Sequence, residues 1–332
     1  DIYRFPSLPF DATIGLRLGM VSQQAINQRV RAERLELLHT HTEFSLARAA
    51  QRAARQFDLP LVHTLHTHYE DYRHYLPLGR FIPRAWVRRW LLRRLRDYAA
   101  IICPSAKMQR YLQQHAPALP TTVIGNGLDL TRFAPTRLTP ADLARARAAL
   151  GVAPAERVLL NVGRLAPEKR VLPLLEALAP LLHHQPEVIL ALVGDGSQRA
   201  ALTRQAERLG VASQLRLPGY LPWKQLPAVY ACAQAYVTAS LSEIHPMTVL
   251  EAIASGLPIV ARRDPAYADL VKDGYNGYLA DTDVAMAQRV TALLADATRH
   301  VELAHNARAL AAQFNLDAQA EQMATLYSAL TR

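Results

Sequence analysis

Cysteine is scarce: Cys103 and Cys232 are the only two and lie far apart, so neither a disulfide framework nor a cysteine metal site is suggested. No apolar run approaches the roughly 20 residues that span a bilayer, and no signal peptide is read at the start. These absences predict a soluble or peripheral protein of a reducing cytoplasm. No sequence repeat or low-complexity tract stands out. Lysine is rare, with four in the chain, one of them Lys169.

What is present is length, apolar content and arginine. The 332 residues, half of them hydrophobic, suffice for two domains with separate cores. Residues 1–134 hold 19 Lys and Arg against 10 Asp and Glu, whereas 135–332 hold 19 against 18, so the net charge of +10 is almost all in the first half. Such asymmetry points to an anionic surface as partner, membrane or nucleic acid. Nucleic acid is disfavoured, because the basic residues cluster on one predicted helix and no nucleic-acid module appears.

Short apolar runs alternate with helical patterns throughout, the mark of βα units on parallel sheets. Strands are predicted at 35–41, 61–67, 99–105 and 121–125, then at 157–163, 188–194, 215–219, 235–240 and 258–262. The Asn-Gly and prolines of 125–143 place a boundary between two doubly wound domains, whose cleft is the expected ligand site. In such sheets ligands bind beyond the carboxyl ends of the strands. The opening "DIYRFPSLPF" lacks the strand, glycine turn and helix that begin a doubly wound domain, so the first domain is read as incomplete at its start.

The residues that follow strands are therefore the candidates for chemistry. In "GRLAPEKR", Gly163 permits a turn and Arg164 and Lys169 can converge on a diphosphate, with solvated surface charge as the alternative. Gly194 and Gly196 around Asp195 allow close backbone approach to a ligand, though Gly-Asp-Gly is also an ordinary turn. In "LPGYLP", Tyr220 and Leu221 can line a base pocket through their backbone. "SEIHPMTVLEA" sets Glu243 before a helix and Glu251 within it, with Pro246 as the predicted first helical residue and backbone N–H groups suited to an anion. Two readings of the glutamates stand: Glu243 facing the neighbour of that anion with Glu251 reaching a hydroxyl-rich group, or a capping group and an exposed helix residue.

In "TLHTHYEDYRHY", period-two alternation puts His66 and His68 on one face of a strand's end. A metal site including His63 is conceivable, but no carboxylate or cysteine has matching spacing, and a histidine bonding a substrate is preferred. The stretch 80–98 carries seven arginines with Trp86 and Trp90. Its wheel sets Arg88, Arg89, Arg93 and Arg96 on one arc and Trp86, Val87, Trp90, Leu91, Leu95 and Tyr98 largely on the other. An interfacial helix on anionic lipid has this composition, and so does a core-facing helix with a basic outer face.

Four motifs in this order and spacing, "GRLAPEKR", "VGDGSQ", "LPGYLP" and "SEIHPMTVLEA", closely resemble the retaining GT-B glycosyltransferases of family 4. "YRFPSLPF", "HTHTEFSLA" and "TLHTHYEDYRHY" look most like the bacterial diacylglycerol glycosyltransferases. The resemblance implies a GT-B fold: an acceptor-side domain at 1–134, a linker at 135–150, a nucleotide-sugar domain at 151–315, and a C-terminal helix at 316–332 able to pack back on the first domain. It implies transfer of a hexose, glucose from UDP-glucose foremost, to a membrane lipid at the inner face of the cell membrane. A soluble or polysaccharide acceptor, or sugar-nucleotide binding without turnover, are the alternatives.

By the same resemblance His66, Arg164, Lys169 and Glu243 are catalytic. Gly163, Gly194, Gly196, Tyr220, Leu221 and Glu251 bind the nucleotide, Glu251 by the ribose hydroxyls. His245, Pro246 and Met247 bind the donor sugar, and Arg84, Trp86, Arg88, Arg89, Trp90 and Arg93 contact membrane. No metal or other cofactor is expected. Pro246 departs from the family's usual glycine, and no residue matches the family's glycine-rich loop near its start.

Overall fold

The computed structural model describes residues 2–11, 16–73 and 79–331. The chain divides into two compact units, residues 1–125 with 319–332, and residues 126–318.

The first unit begins with β1 (Ser7–Asp11) and β2 (Leu16–Gly19), an antiparallel pair, followed by α1 (Gln23–Ala32). Then come β3 (Leu38–Thr40), α2 (Ser45–Phe57), β4 (Leu61–Thr64), α3 (Arg84–Arg94), β5 (Ala100–Cys103), α4 (Ala106–His115) and β6 (Thr121–Val123). The four later strands form a parallel sheet in the order β3-β4-β5-β6. β4 and β5 are buried along their whole length, as befits parallel strands covered on both faces. The opening ribbon is absent from the sequence reading because Pro6 and Pro9 break its alternation.

The second unit contains α5 (Leu130–Phe133), α6 (Pro140–Leu150), β7 (Arg157–Val162), α7 (Val171–His184), β8 (Val188–Val193), α8 (Arg199–Arg208) and β9 (Leu215–Gly219). It continues with α9 (Leu226–Ala231), β10 (Ala233–Thr238), α10 (Met247–Ala254), β11 (Ile259–Arg262), β12 (Gly277–Ala280), α11 (Asp283–Ala295) and α12 (Ala297–Ala311). Six parallel strands run β12-β11-β10-β7-β8-β9. One apolar layer covers each face of this sheet: Val158, Leu160, Ile189 and Ile259 point to one, Leu159, Leu190, Leu192 and Val260 to the other. β12 escaped the sequence reading because four residues opening on glycine carry no period.

The strand order reverses between β7 and β10. From β7 the chain winds outward through β8 and β9, then returns to β10 and winds the other way. The loops leaving the carboxyl ends of β7 and β10 therefore lie at the point of reversal, the usual ligand position in doubly wound folds.

One boundary differs from expectation. Residues 140–150, read as linker, form α6: Thr139 and Asp142 make a reciprocal capping box, Gly151 closes the helix in the left-handed conformation, and Ala146 and Leu150 enter the core. The C-terminal helix α13 (Leu316–Leu330) lays Met323, Leu326, Tyr327 and Leu330 on Val62, Ile102 and Ile124 of the first unit. Among the described residues no helix is long and apolar enough to cross a membrane.

Candidate active site

At the switch point the ends of β7, β8 and β9 are stitched together through glycine backbone. Gly163 N–H donates to Val193 O at 2.9 Å, Gly194 N–H to Gly219 O at 2.9 Å, and Leu165 N–H to Asp195 O at 3.0 Å. A Cβ on Gly194 would lie 2.0 Å from Gly163 O, and one on Gly196 would lie 2.5 Å from Leu165 O. Both have positive φ, +131° and +157°. These glycines are required first by backbone packing against the 163–165 loop, which presses that loop onto the sheet end.

The turn after β7 carries the two expected cations. Lys169 Nζ lies 2.6 Å from Glu243 Oε1, and the pair is mostly shielded from solvent. Arg164 is 3.4 Å from the buried carboxylate of Glu168. Ser242 Oγ donates to Glu168 O at 3.1 Å, tying the β10 loop to the β7 turn, and Tyr267 Oη, beyond β11, donates to Ser240 O at 3.2 Å. Glu243 thus does not cap α10; it is one half of an ion pair that joins the β10 loop to the β7 turn. Charge of both signs is thus fixed between the β7 turn and the β10 loop.

α10 starts one residue later than predicted. Pro246 is its N-cap in extended conformation and Met247 its first residue, because proline with φ −71° and ψ 116° ends the loop rather than entering the helix. His245 is buried beneath it, its Nδ1 accepting the Asn126 N–H at 3.2 Å while Asn126 Nδ2 donates to His245 O at 3.0 Å. Burial holds the His245 imidazole down at about 4, so the ring is neutral at pH 7. Met247 is partly exposed beside it. Asn126, read only as half of an Asn-Gly turn, was missed; nothing in the dipeptide signals its distant partner.

Glu251 is not an exposed helix residue: it is 5% exposed. Tyr230 Oη donates to its Oε2 at 2.7 Å and Trp223 Nε1 to its Oε1 at 3.2 Å. Burial pushes its carboxyl above the ordinary range, partly opposed by these two donors. Tyr220 is 78% exposed and Leu221 half-buried in the adjoining turn after β9. Trp223 and Tyr230 escaped the sequence reading because their spacing from Glu251 follows no motif.

In the first unit β4 ends at Thr64, so His66 and His68 lie beyond the strand and the period-two argument for their shared face fails. His66 Nε2 meets His41 Nδ1 at 2.9 Å with the rings stacked, whereas His68 Nδ1 bonds Asp71 at 2.8 Å. Burial, then the neighbouring histidines, lower the His66 imidazole, so it is held toward the neutral form. His63 is fully buried between Thr40 Oγ1 at 2.8 Å and Glu43 Oε1 at 3.0 Å, a core arrangement. Among the described residues no group of three or more His, Cys, Asp or Glu side chains is placed to hold a metal. His74 and Tyr75, which end that motif, lie outside the described residues.

α3 divides the expected membrane set. Arg84, Trp86, Arg89 and Arg93 are exposed, Trp86 at 71%. Trp90 instead packs edge-on to Tyr69, with ring centroids 5.5 Å apart, and beside Phe44, and Arg88 lies 3.5 Å from the buried Glu70. Trp86 belongs to the outer face, one step from the arc assigned to it, because Leu91 and Leu95 define the buried side.

Known proteins resemble this chain in sequence and fold. Residues 144–310 match the family described as glycosyl transferases group 1, and residues 1–132 match glycosyltransferase family 4. The alpha-monoglucosyldiacylglycerol synthase of Streptococcus pneumoniae is 31% identical over 289 residues, 86% of this chain and 66% of that protein, so this chain spans a little under two thirds of its length. The synthase of the same name from Acholeplasma laidlawii is 25% identical over 98% of this chain and 84% of that protein. Among solved structures, Anabaena Alr3699/HepE in complex with UDP-glucose superposes with a TM-score of 0.77 at 26% identity, covering 93% of this chain and 82% of that one. Parallel sheets wound in this order, a cation and a carboxylate paired at the switch point, and matches that together cover nearly the whole sequence have one reading: the chain belongs to the group 1, family 4 glycosyltransferases of GT-B fold.

Proposed function

We propose that this chain transfers a hexose, glucose from UDP-glucose, to the hydroxyl of a membrane lipid such as diacylglycerol, with retention at the anomeric carbon. The observation that carries the chemistry is the Lys169–Glu243 pair at the strand-order reversal. The lipid acceptor and the sugar rest on the names of the two synthases, and UDP on the bound Alr3699/HepE complex.

In this reading the bond from the anomeric carbon to the diphosphate oxygen breaks while the acceptor hydroxyl attacks from the same face. The acceptor proton passes to a phosphate oxygen. Lys169 and Arg164 stabilise the charge that grows on the leaving group, and no metal is needed because these cations supply the neutralisation. Glu243, oriented by Lys169, positions the sugar and stabilises positive charge at its reacting carbon; His66 contacts the sugar and Glu251 the ribose. The protein acts as a peripheral protein on the inner face of the cell membrane.

The test is a transfer assay with UDP- and GDP-sugars, using diacylglycerol in anionic vesicles or soluble acceptors, with EDTA present. UDP-glucose and the lipid should give an α-linked product. Replacing Lys169 or Arg164 by alanine should lower kcat by about 100-fold or more. Near-normal turnover in both variants would sink the catalytic assignment, and a β-linked product the retaining one.

A further inference from the structure

Glu251 is buried and ionisable, and in the function just proposed it must accept hydrogen bonds from a ribose. A carboxylate in such a place drifts toward its neutral form unless donors hold it. Here two do, one on each oxygen. Trp223 Nε1 can only donate, and burial raises the Tyr230 hydroxyl far above its ordinary value, so it too stays a donor at every working pH.

Both donors are themselves fixed by α5. The Phe133 ring meets Trp223 edge-on at 6.2 Å between centroids and Tyr230 at 6.0 Å, and the Arg132 guanidinium lies 3.9 Å from the centre of the Trp223 ring. Tyr230 and Phe133 are fully buried, so the Tyr230 hydroxyl has little freedom to turn from the carboxylate. A carboxylate offers about four acceptor sites. With one taken on each oxygen, one remains on each, the number needed for two adjacent hydroxyls.

We infer that Trp223 and Tyr230 are positioning residues that brace Glu251 as a paired acceptor for a vicinal diol, and so set the preference for a ribonucleotide over its 2′-deoxy counterpart. The inference rests on the ribose role of Glu251. It adds the residues that make that role selective.

Calorimetric titration of UDP and 2′-deoxy-UDP into the wild-type chain and into Glu251→Gln, Tyr230→Phe and Trp223→Phe tests it. The wild type should bind UDP about 10-fold tighter than 2′-deoxy-UDP, the scale of one hydrogen bond to a charged group. Glu251→Gln should erase that ratio. Tyr230→Phe and Trp223→Phe should each shrink it severalfold, by weakening UDP more than 2′-deoxy-UDP, which has only its 3′-hydroxyl to offer Glu251. A purely structural role would lower both affinities alike and keep the ratio; that result in both variants, with the ratio erased in Glu251→Gln, overturns the brace. An unchanged ratio in Glu251→Gln instead overturns the ribose role, and the inference with it. Trp223 is partly exposed, so its variant gives the answer even if Tyr230→Phe fails to fold.

Discussion

At the scale of single residues, the site works by holding charges where water would otherwise dissipate them. Lys169 and Glu243 are the clearest case: a 2.6 Å pair with little exposure holds two flexible side chains in one geometry. His245 makes the same point for a neutral group. Its pKa falls from the ordinary 6.5 to about 4 on burial, so stability is full above 6.5 and is lost as pH falls from 6.5 through about 4. Protonating Nδ1 would set a second donor against the Asn126 N–H it now accepts. The second unit should therefore lose about 3 kcal/mol between pH 7 and pH 4 through this residue. Tm measured across that range in the wild type and in His245→Asn checks it: the variant should show a flatter acid limb, and parallel curves would refute the account.

At the scale of elements, α3 shows where a helical wheel misleads. The arc of apolar residues is set by burial of Leu91, Leu95 and Tyr98, which leaves Trp86 outside with Arg84, Arg89 and Arg93. An exposed tryptophan among arginines suits the headgroup layer of an anionic membrane better than bulk water does. Each arginine near such a surface contributes about 1 kcal/mol, so Arg89→Gln with Arg93→Gln should lower partitioning onto phosphatidylglycerol vesicles about 30-fold. Sedimentation with vesicles measures it, and undiminished binding would remove α3 from the membrane interface. The 163–165 and 194–196 loops make a complementary case: a methyl group on Gly194 would strike the Gly163 carbonyl, so the motif's spacing reflects backbone packing before ligand contact.

At the scale of the whole molecule, the chain does not keep its units in sequence order. α13 follows the second unit yet covers the sheet of the first, placing Leu326 and Leu330 over Val62 and Ile102. Ending the chain at Ala318 should expose that apolar face, destabilising or aggregating the first unit. The second unit, whose core contains none of α13, should still bind UDP in titration. Full cooperative stability of the shortened chain in thermal unfolding would count against this role of α13.

The sequence by itself determined the class of fold and the candidate positions for the chemistry. Apolar runs at βα spacing needed no tertiary information to be read, and each motif follows a strand because loops beyond strand ends are where these sheets bind ligands. Tertiary structure alone decided the partners. That Lys169 meets Glu243, that Asn126 fixes His245, and that Trp223 and Tyr230 converge on Glu251 depend on β7 lying beside β10 and on α5 and α9 packing near α10. Local pattern reports which face of an element is apolar, but contacts between residues 20 to 120 positions apart are chosen by how whole elements stack. A single sequence carries no periodic trace of that choice.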